Sequence, residues 1–149
     1  MLDFNYFFRV RYGECDAQSV VFNARYGDYV DITMTEYFRA FYGGFDMLIK
    51  QGVDTQVVNL NINWKSSARF DDIVRASVTV QKVGNTSFTC QVLLFHHETD
   101  RLIVSADITY VCVDAETFSK VSIPNSLKDA FSTPAPAVLI NHAGVTLVN

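Results

Sequence analysis

The sequence predicts an α+β protein in which one long helix precedes an antiparallel sheet, and three observations carry that prediction. Between residues 24 and 43 apolar side chains recur every three or four positions, the period of a helix. From residue 58 to residue 113 they recur at every second position in four successive runs, the period of strands. The breaks between those runs are short, as antiparallel neighbours require.

Length and composition agree with a packed domain. The chain has 149 residues, 49% of them apolar, with 12 Phe and 7 Tyr. That is the size of one ordinary domain, read here as spanning 1–149, with about 132–149 as a C-terminal extension. No run approaches the roughly 20 apolar residues of a membrane-spanning helix. The first residues lack a basic stretch ahead of an apolar one, so no signal peptide is expected and a cytoplasmic location is. Net charge is −4. The longest basic cluster is Arg9-Val10-Arg11, which argues against nucleic acid as a partner. Cys15, Cys90 and Cys112 are odd in number and far apart, which fits free thiols and neither a disulfide framework nor a zinc site.

The elements follow in order. Over 4–11, Phe4, Tyr6, Phe8 and Val10 alternate with Asn5, Phe7, Arg9 and Arg11, which predicts a strand ended by Tyr12-Gly13. On the helix, Tyr26, Val30, Thr33, Tyr37 and Phe41 join Tyr29, Met34 and Phe38 in a wide aromatic arc, with Arg25, Asp28, Glu36 and Arg39 between them. So wide an arc predicts a helix covered on most sides. Asn23 is a good N-cap residue type, because its side chain can accept from an orphan backbone N–H. Gly43-Gly44 supplies the stop, and 45–52 reads as a short helical turn.

The four strands then place Val58, Leu60, Ile62 and Trp64 on one face; Val74, Ala76, Val78 and Val80; Phe88, Cys90, Val92 and Leu94; and Leu102, Val104, Ala106, Ile108, Tyr110 and Cys112. Gly84-Asn85 and Thr99-Asp100 mark hairpin corners. Leu93, Phe95, Ile103 and Val111 fall on the opposite face, which predicts that the outer side of the sheet meets another subunit. Pro124 suits a helix start, with the helix expected over 127–131. Residues 133–136 read as a linker, and the apolar tail after them as an edge strand or a segment lying on a neighbour.

The chemistry concentrates in one stretch, Tyr12-Gly-Glu-Cys-Asp16-Ala-Gln-Ser-Val-Val-Phe-Asn23-Ala-Arg-Tyr26. A carboxylate held in a loop can act as general base or as nucleophile. The first turn of a helix has unpaired N–H groups and the positive end of a dipole, and both polarise a carbonyl laid against them. The stretch resembles that of the hotdog-fold acyl-CoA thioesterases, in the 4-hydroxybenzoyl-CoA thioesterase-like branch. Trp64-Lys-Ser-Ser-Ala-Arg-Phe-Asp-Asp72, Val113-Asp114 and Ile123-Pro-Asn-Ser-Leu127 are similar to further segments of that family.

The resemblance implies a sheet wrapped round the long helix, dimers joined through a continuous sheet, often homotetramers, and active sites at subunit interfaces. It implies Asp16 as base or nucleophile and the backbone N–H of Asn23 as carbonyl polariser. It implies an acyl-CoA substrate and no separate cofactor, coenzyme A being part of the substrate.

Many relatives have His at the position of Asn23, so a mechanism needing that imidazole does not transfer. His96 and His97 are adjacent on a strand and point to opposite faces; with His142 they read as non-catalytic, and no metal site is expected. Glu14 is the runner-up carboxylate to Asp16 but reads first as a solvated turn residue, and Cys15 as a packed or idle thiol. Phe22, Tyr26, Tyr29 and Trp64 are candidates for lining an acyl pocket. Arg69 and Lys82, at strand ends, are candidates for the coenzyme A phosphates. Some relatives carry basic residues in the hairpin that here reads Gly84-Asn85-Thr86, so coenzyme A is held differently here or gives way to an acyl carrier protein. Two other readings stand beside the thioesterase: a hotdog hydratase or dehydratase, and a non-catalytic acyl-ligand-binding module.

Overall fold

The computed structural model describes residues 4–133 and 137–147. Strand β1 (Phe4–Arg9) leads through a short 3-10 turn (Tyr12–Glu14) to helix α1 (Arg25–Tyr42) and the single turn α2 (Asp46–Ile49). Strands β2 (Val53–Trp64), β3 (Ile73–Val83), β4 (Ser87–His96) and β5 (Leu102–Asp114) follow, then helix α3 (Asn125–Ser132) and strand β6 (Val138–Asn141). All six strands form one sheet in the order β2-β5-β4-β3-β1-β6. Every pairing is antiparallel except β1 with β6. This is the hotdog fold.

The two periodicities account for the core. Val30, Met34 and Phe38 on α1 are fully buried. They join Ala76, Val78, Cys90, Val92, Leu94, Val104 and Ala106 from the inner face of the sheet in one cluster. Small residues at Ala76, Cys90 and Ala106 leave room for the aromatic arc of the helix. Gly43, at φ 92°, turns the chain out of α1, and Gly44 N–H closes the end on Phe38 O at 3.1 Å. The arc is buried as expected, but Arg25, Asp28, Asp31, Ile32 and Arg39 leave an exposed stripe on the helix. Glu36, expected among the polar positions, is buried and ion-paired to Arg39.

Several local expectations change. Asn23 does not cap α1: the N-cap is Ala24, with no side-chain bond. The chain first makes a turn closed by Arg25 N–H on Phe22 O at 2.8 Å, which starts the helix later and spares it a side-chain cap. In β2 a bulge between Val57 and Asn59 shifts the alternation. Val57, opposite Tyr110, therefore shares the inner face with Leu60, Ile62 and Trp64, and Val58 drops out of phase. Ile103 and Val111, expected to await another subunit, are already buried within the chain. Phe95 is covered by the Arg75 guanidinium, 4.6 Å from its ring centroid. Helix α3 begins two residues earlier than expected, at Asn125 behind Pro124. The tail supplies the edge strand β6; of the linker, 134–136 lie outside the described residues.

The other edge, β2, is open. Val57, Val58, Leu60 and Trp64 are each about half exposed, and among the described residues the strand has no neighbour on its far side.

Candidate active site

The site is built where β1 hands over to α1. Cys15 and Val21 bridge across a tight loop. Inside it Asp16 N–H donates to Val20 O at 2.9 Å, and Ser19 N–H returns to Asp16 O at 3.0 Å. Ser19 takes φ 63°, a left-handed turn position that a small polar residue tolerates. Two further bonds fix the loop to its surroundings: Val21 N–H to Ala68 O and Phe22 N–H to Glu14 O, both 2.9 Å.

Asp16 is half-buried at the tip. Its Oδ1 accepts the Gln18 N–H at 2.8 Å, an Asx turn that orients the carboxylate. Among the described residues Oδ2 has no hydrogen-bond partner. The carboxylate opens into a groove of about 360 Å³ shared with Phe22, Asn23, Tyr26, Trp64 and the segment 65–67. At the same place the N–H of Asn23 donates to no acceptor among the described residues, and neither does that of Ala24 next to it. Ala24, the N-cap, is one of the orphan donors of the helix start, and Asn23 stands one residue ahead of it.

The groove's walls are tied down. The Trp64 indole Nε1 donates to Asn23 O at 3.3 Å. The Tyr26 hydroxyl accepts Ala68 N–H at 3.1 Å, and burial pushes its pKa up, so it stays a neutral phenol. Arg101 Nη1 donates to Ser66 Oγ at 2.5 Å and to Ser67 O at 2.9 Å, holding the 65–67 segment against the start of β5.

Five of the expected site residues therefore meet in one groove: Asp16, Phe22, Asn23, Tyr26 and Trp64. Arg69 and Lys82 do not line it. Arg69 is exposed in the turn just beyond, its backbone N–H on Asp72 Oδ2 at 2.8 Å. Lys82 is exposed at the far end of β3, about 30 Å along the strand from Ile73 at roughly 3.3 Å per residue. Tyr29 lies against Glu14 and not in the groove. Lys65, Ser66 and Ser67 line the groove without having been singled out from the sequence. Their one signal was position, directly after Trp64 in a segment already similar to the family's.

Glu14 requires a correction. It is 8% exposed, not solvated. Its Oε1 accepts Arg11 N–H at 2.7 Å and the Tyr29 hydroxyl at 3.0 Å; its Oε2 accepts Arg11 Nε and Nη2 at 3.3 and 3.1 Å. Cys15 keeps its thiol protonated: burial raises its pKa, and the charges of Glu14 and Asp16 raise it further. Of the histidines, His96 lies 3.5 Å from Asp72, His97 packs edge-on to Phe7, and His142 edge-on to Tyr6. None lines the groove.

Residues 10–131 match the model of the thioesterase-like superfamily. Acyl-CoA thioesterase YbgC of Haemophilus influenzae is 28% identical over 134 residues, covering 88% of this chain and 97% of its own. Long-chain acyl-CoA thioesterase FadM of Escherichia coli is 25% identical over 122 residues, covering 81% and 91%. Among solved structures, a thioesterase superfamily protein from Jannaschia superposes with a TM-score of 0.82 at 20% identity, over 91% of this chain and 94% of the other. A 1,4-dihydroxy-2-naphthoyl-CoA thioesterase from Synechocystis gives 0.79 at 18% identity, over 87% and 95%. At those identities the structural matches speak for the fold alone. With the family match spanning the Asp16 loop, the long helix and strands β2 to β5, the chain belongs to the thioesterase-like superfamily.

Proposed function

We propose that the protein is an acyl-CoA thioesterase that hydrolyses a thioester at the Asp16 groove. One observation carries the reading: Asp16 presents a carboxylate oxygen with no partner among the described residues into a groove also lined by Asn23, whose N–H is likewise unpartnered there. Those are the two parts thioester hydrolysis needs, an activated attacker and donors aimed at the developing oxyanion. The names of the relatives support the same activity.

The thioester carbonyl lies against the Asn23 N–H, with the acyl group toward Phe22, Tyr26 and Trp64. In the general-base branch, Asp16 takes a proton from water as the water oxygen bonds to the carbonyl carbon. The tetrahedral intermediate collapses, the C–S bond breaks, and the coenzyme A sulfur leaves and is protonated. In the nucleophilic branch an Asp16 oxygen attacks first, the C–S bond breaks as the coenzyme A thiolate leaves and is protonated, and water then hydrolyses the mixed anhydride at the Asp16 carbonyl carbon. Single-turnover reaction in heavy-oxygen water separates the two, because only the second branch leaves label in Asp16. A hydratase of this fold relies on a carboxylate paired with a histidine, and no histidine lines this groove.

A second copy pairs along β2, covering Val57, Val58, Leu60 and Trp64. Since Trp64 belongs both to that edge and to the groove, the dimer interface borders the site, where a partner's basic residues can meet the coenzyme A phosphates. Free-thiol release across a panel of acyl-CoA esters and acyl carrier protein thioesters tests the activity and its substrate together. Light scattering tests the assembly; a clean monomer at micromolar concentration removes the interface site.

A further inference from the structure

A second cavity, of about 240 Å³, lies on the other side of the Glu14–Tyr29 bond, between β1 and α1. Tyr6, Phe8, Tyr29 and Ile32 give it an apolar body, and Arg9, Arg11, Glu14 and His142 its polar rim. It shares no lining residue with the Asp16 groove. At about 30 Å³ per water it holds roughly eight waters, or a ligand of a similar number of heavy atoms.

Its polar side chains are one-sided. Among the described residues Glu14 is the only carboxylate in the lining, and its four hydrogen bonds use both oxygens fully. What stays free is donors. Tyr6 is 4% exposed, and its hydroxyl has no partner among the described residues. Burial, and then the charge of Glu36, raise its pKa, so it keeps the proton it offers. Arg9 uses Nε on Ala143 O and Nη1 on Asp71, leaving Nη2. Arg11 uses Nε and Nη2 on Glu14, leaving Nη1. The His142 ring packs edge-on to Tyr6, with centroids 5.3 Å apart, and makes no ring hydrogen bond among the described residues.

We propose that this cavity binds a small carboxylic acid with a flat apolar body, its carboxylate meeting the Tyr6 hydroxyl and the free guanidinium nitrogens of Arg9 and Arg11. The body lies between Phe8 and Tyr29 on one side and Ile32 on the other. A neutral amide of the same shape loses the charge-assisted bonds, and an amine is repelled. The acid has two possible sources, the free acid released by this enzyme's own reaction and an unrelated acid of similar shape.

The test is calorimetric titration of the full-length protein with benzoate, benzamide and benzylamine, in the wild type and in Tyr6→Phe and Ile32→Trp. Neither residue belongs to the groove, so both variants are expected to fold and to keep thioesterase activity. Benzoate is expected to bind better than benzamide, and benzylamine not at all. Tyr6→Phe should weaken benzoate about tenfold, the loss of one hydrogen bond to a charged group. Ile32→Trp, which fills the cavity mouth, should abolish binding. Asp16→Asn should leave it unchanged, which separates this cavity from the reading of the groove. Benzoate binding that survives Ile32→Trp, or that is lost in Asp16→Asn, overturns the proposal, as does no binding to the wild type. Repeating the titration with the acids released from the best thioester substrates decides the source: tighter binding than benzoate marks a product site, and weaker binding an independent ligand.

Discussion

Glu14 and Asp16 stand two residues apart in the same loop and have opposite environments. Glu14 is buried and accepts four hydrogen bonds. Asp16 is half-buried and accepts one, keeping Oδ2 free toward an open groove. The difference separates two uses of a carboxylate. One whose lone pairs are all occupied holds structure together, and here it ties Arg11 and Tyr29 to the loop. One with an unoccupied oxygen beside orphan N–H groups can do chemistry. The first supports the second, since Phe22 N–H closes the loop on Glu14 O.

Moving each carboxylate sharpens the contrast. Asp16→Glu keeps the charge and displaces it by one methylene, about 1 Å. It should lower kcat roughly 100-fold in a thiol-release assay while the melting temperature stays put. Glu14→Ala should do the reverse. It strands the buried Tyr29 hydroxyl and the Arg11 N–H, which costs about 2 kcal/mol and lowers Tm by roughly 4–8 °C in a thermal melt. If Glu14→Ala instead spares Tm and abolishes turnover, the division of labour is wrong. Trp64→Ala, on the open edge of the groove, should raise KM about tenfold through lost packing, with kcat less affected.

The smallest expected effect is in alkali. Burial is the first cause of the raised pKa values of Tyr6, Tyr26, Tyr29, Tyr37 and Tyr110. A group whose folded pKa lies above its unfolded value contributes stability below the unfolded pKa, near 10 for tyrosine, and loses it as pH rises through the folded one. Stability should therefore fall above about pH 10, with these phenols ionising together as the fold opens. Phenolate absorbance followed against pH alongside circular dichroism checks this; ionisation well ahead of unfolding would contradict it.

The fold was legible because both periods are strong. The inner faces of β3 and β4 match the alternation, as does β5 from Val104 to Cys112, while a bulge sets Leu102 opposite Phe95 and brings Ile103 into the core. In β2 the bulge after Val57 was invisible, because Val57 and Val58 are equally apolar and either phase reads as a strand. The start of α1 was misplaced because Asn23 has the chemistry of a cap, whereas a backbone turn at Phe22 does that work. In the site, Asp16, Phe22, Tyr26 and Trp64 were legible through the motif and its resemblance. Glu14 was not, since its burial depends on Tyr29, fifteen positions on, reaching back from the helix. Lys82 was a candidate by charge and turn position alone, and only the topology shows that β3 carries it away from the groove of its own chain.

The central claim is that Asp16, and not its neighbour, does the chemistry. Its most direct test is kcat and Tm measured side by side for the wild type, Asp16→Asn and Glu14→Gln, on the best thioester from the panel. Asp16→Asn should lose a factor of about 10³ or more in kcat with Tm unchanged, while Glu14→Gln should keep most of its turnover. Turnover like the wild type's in a folded Asp16→Asn would contradict the account.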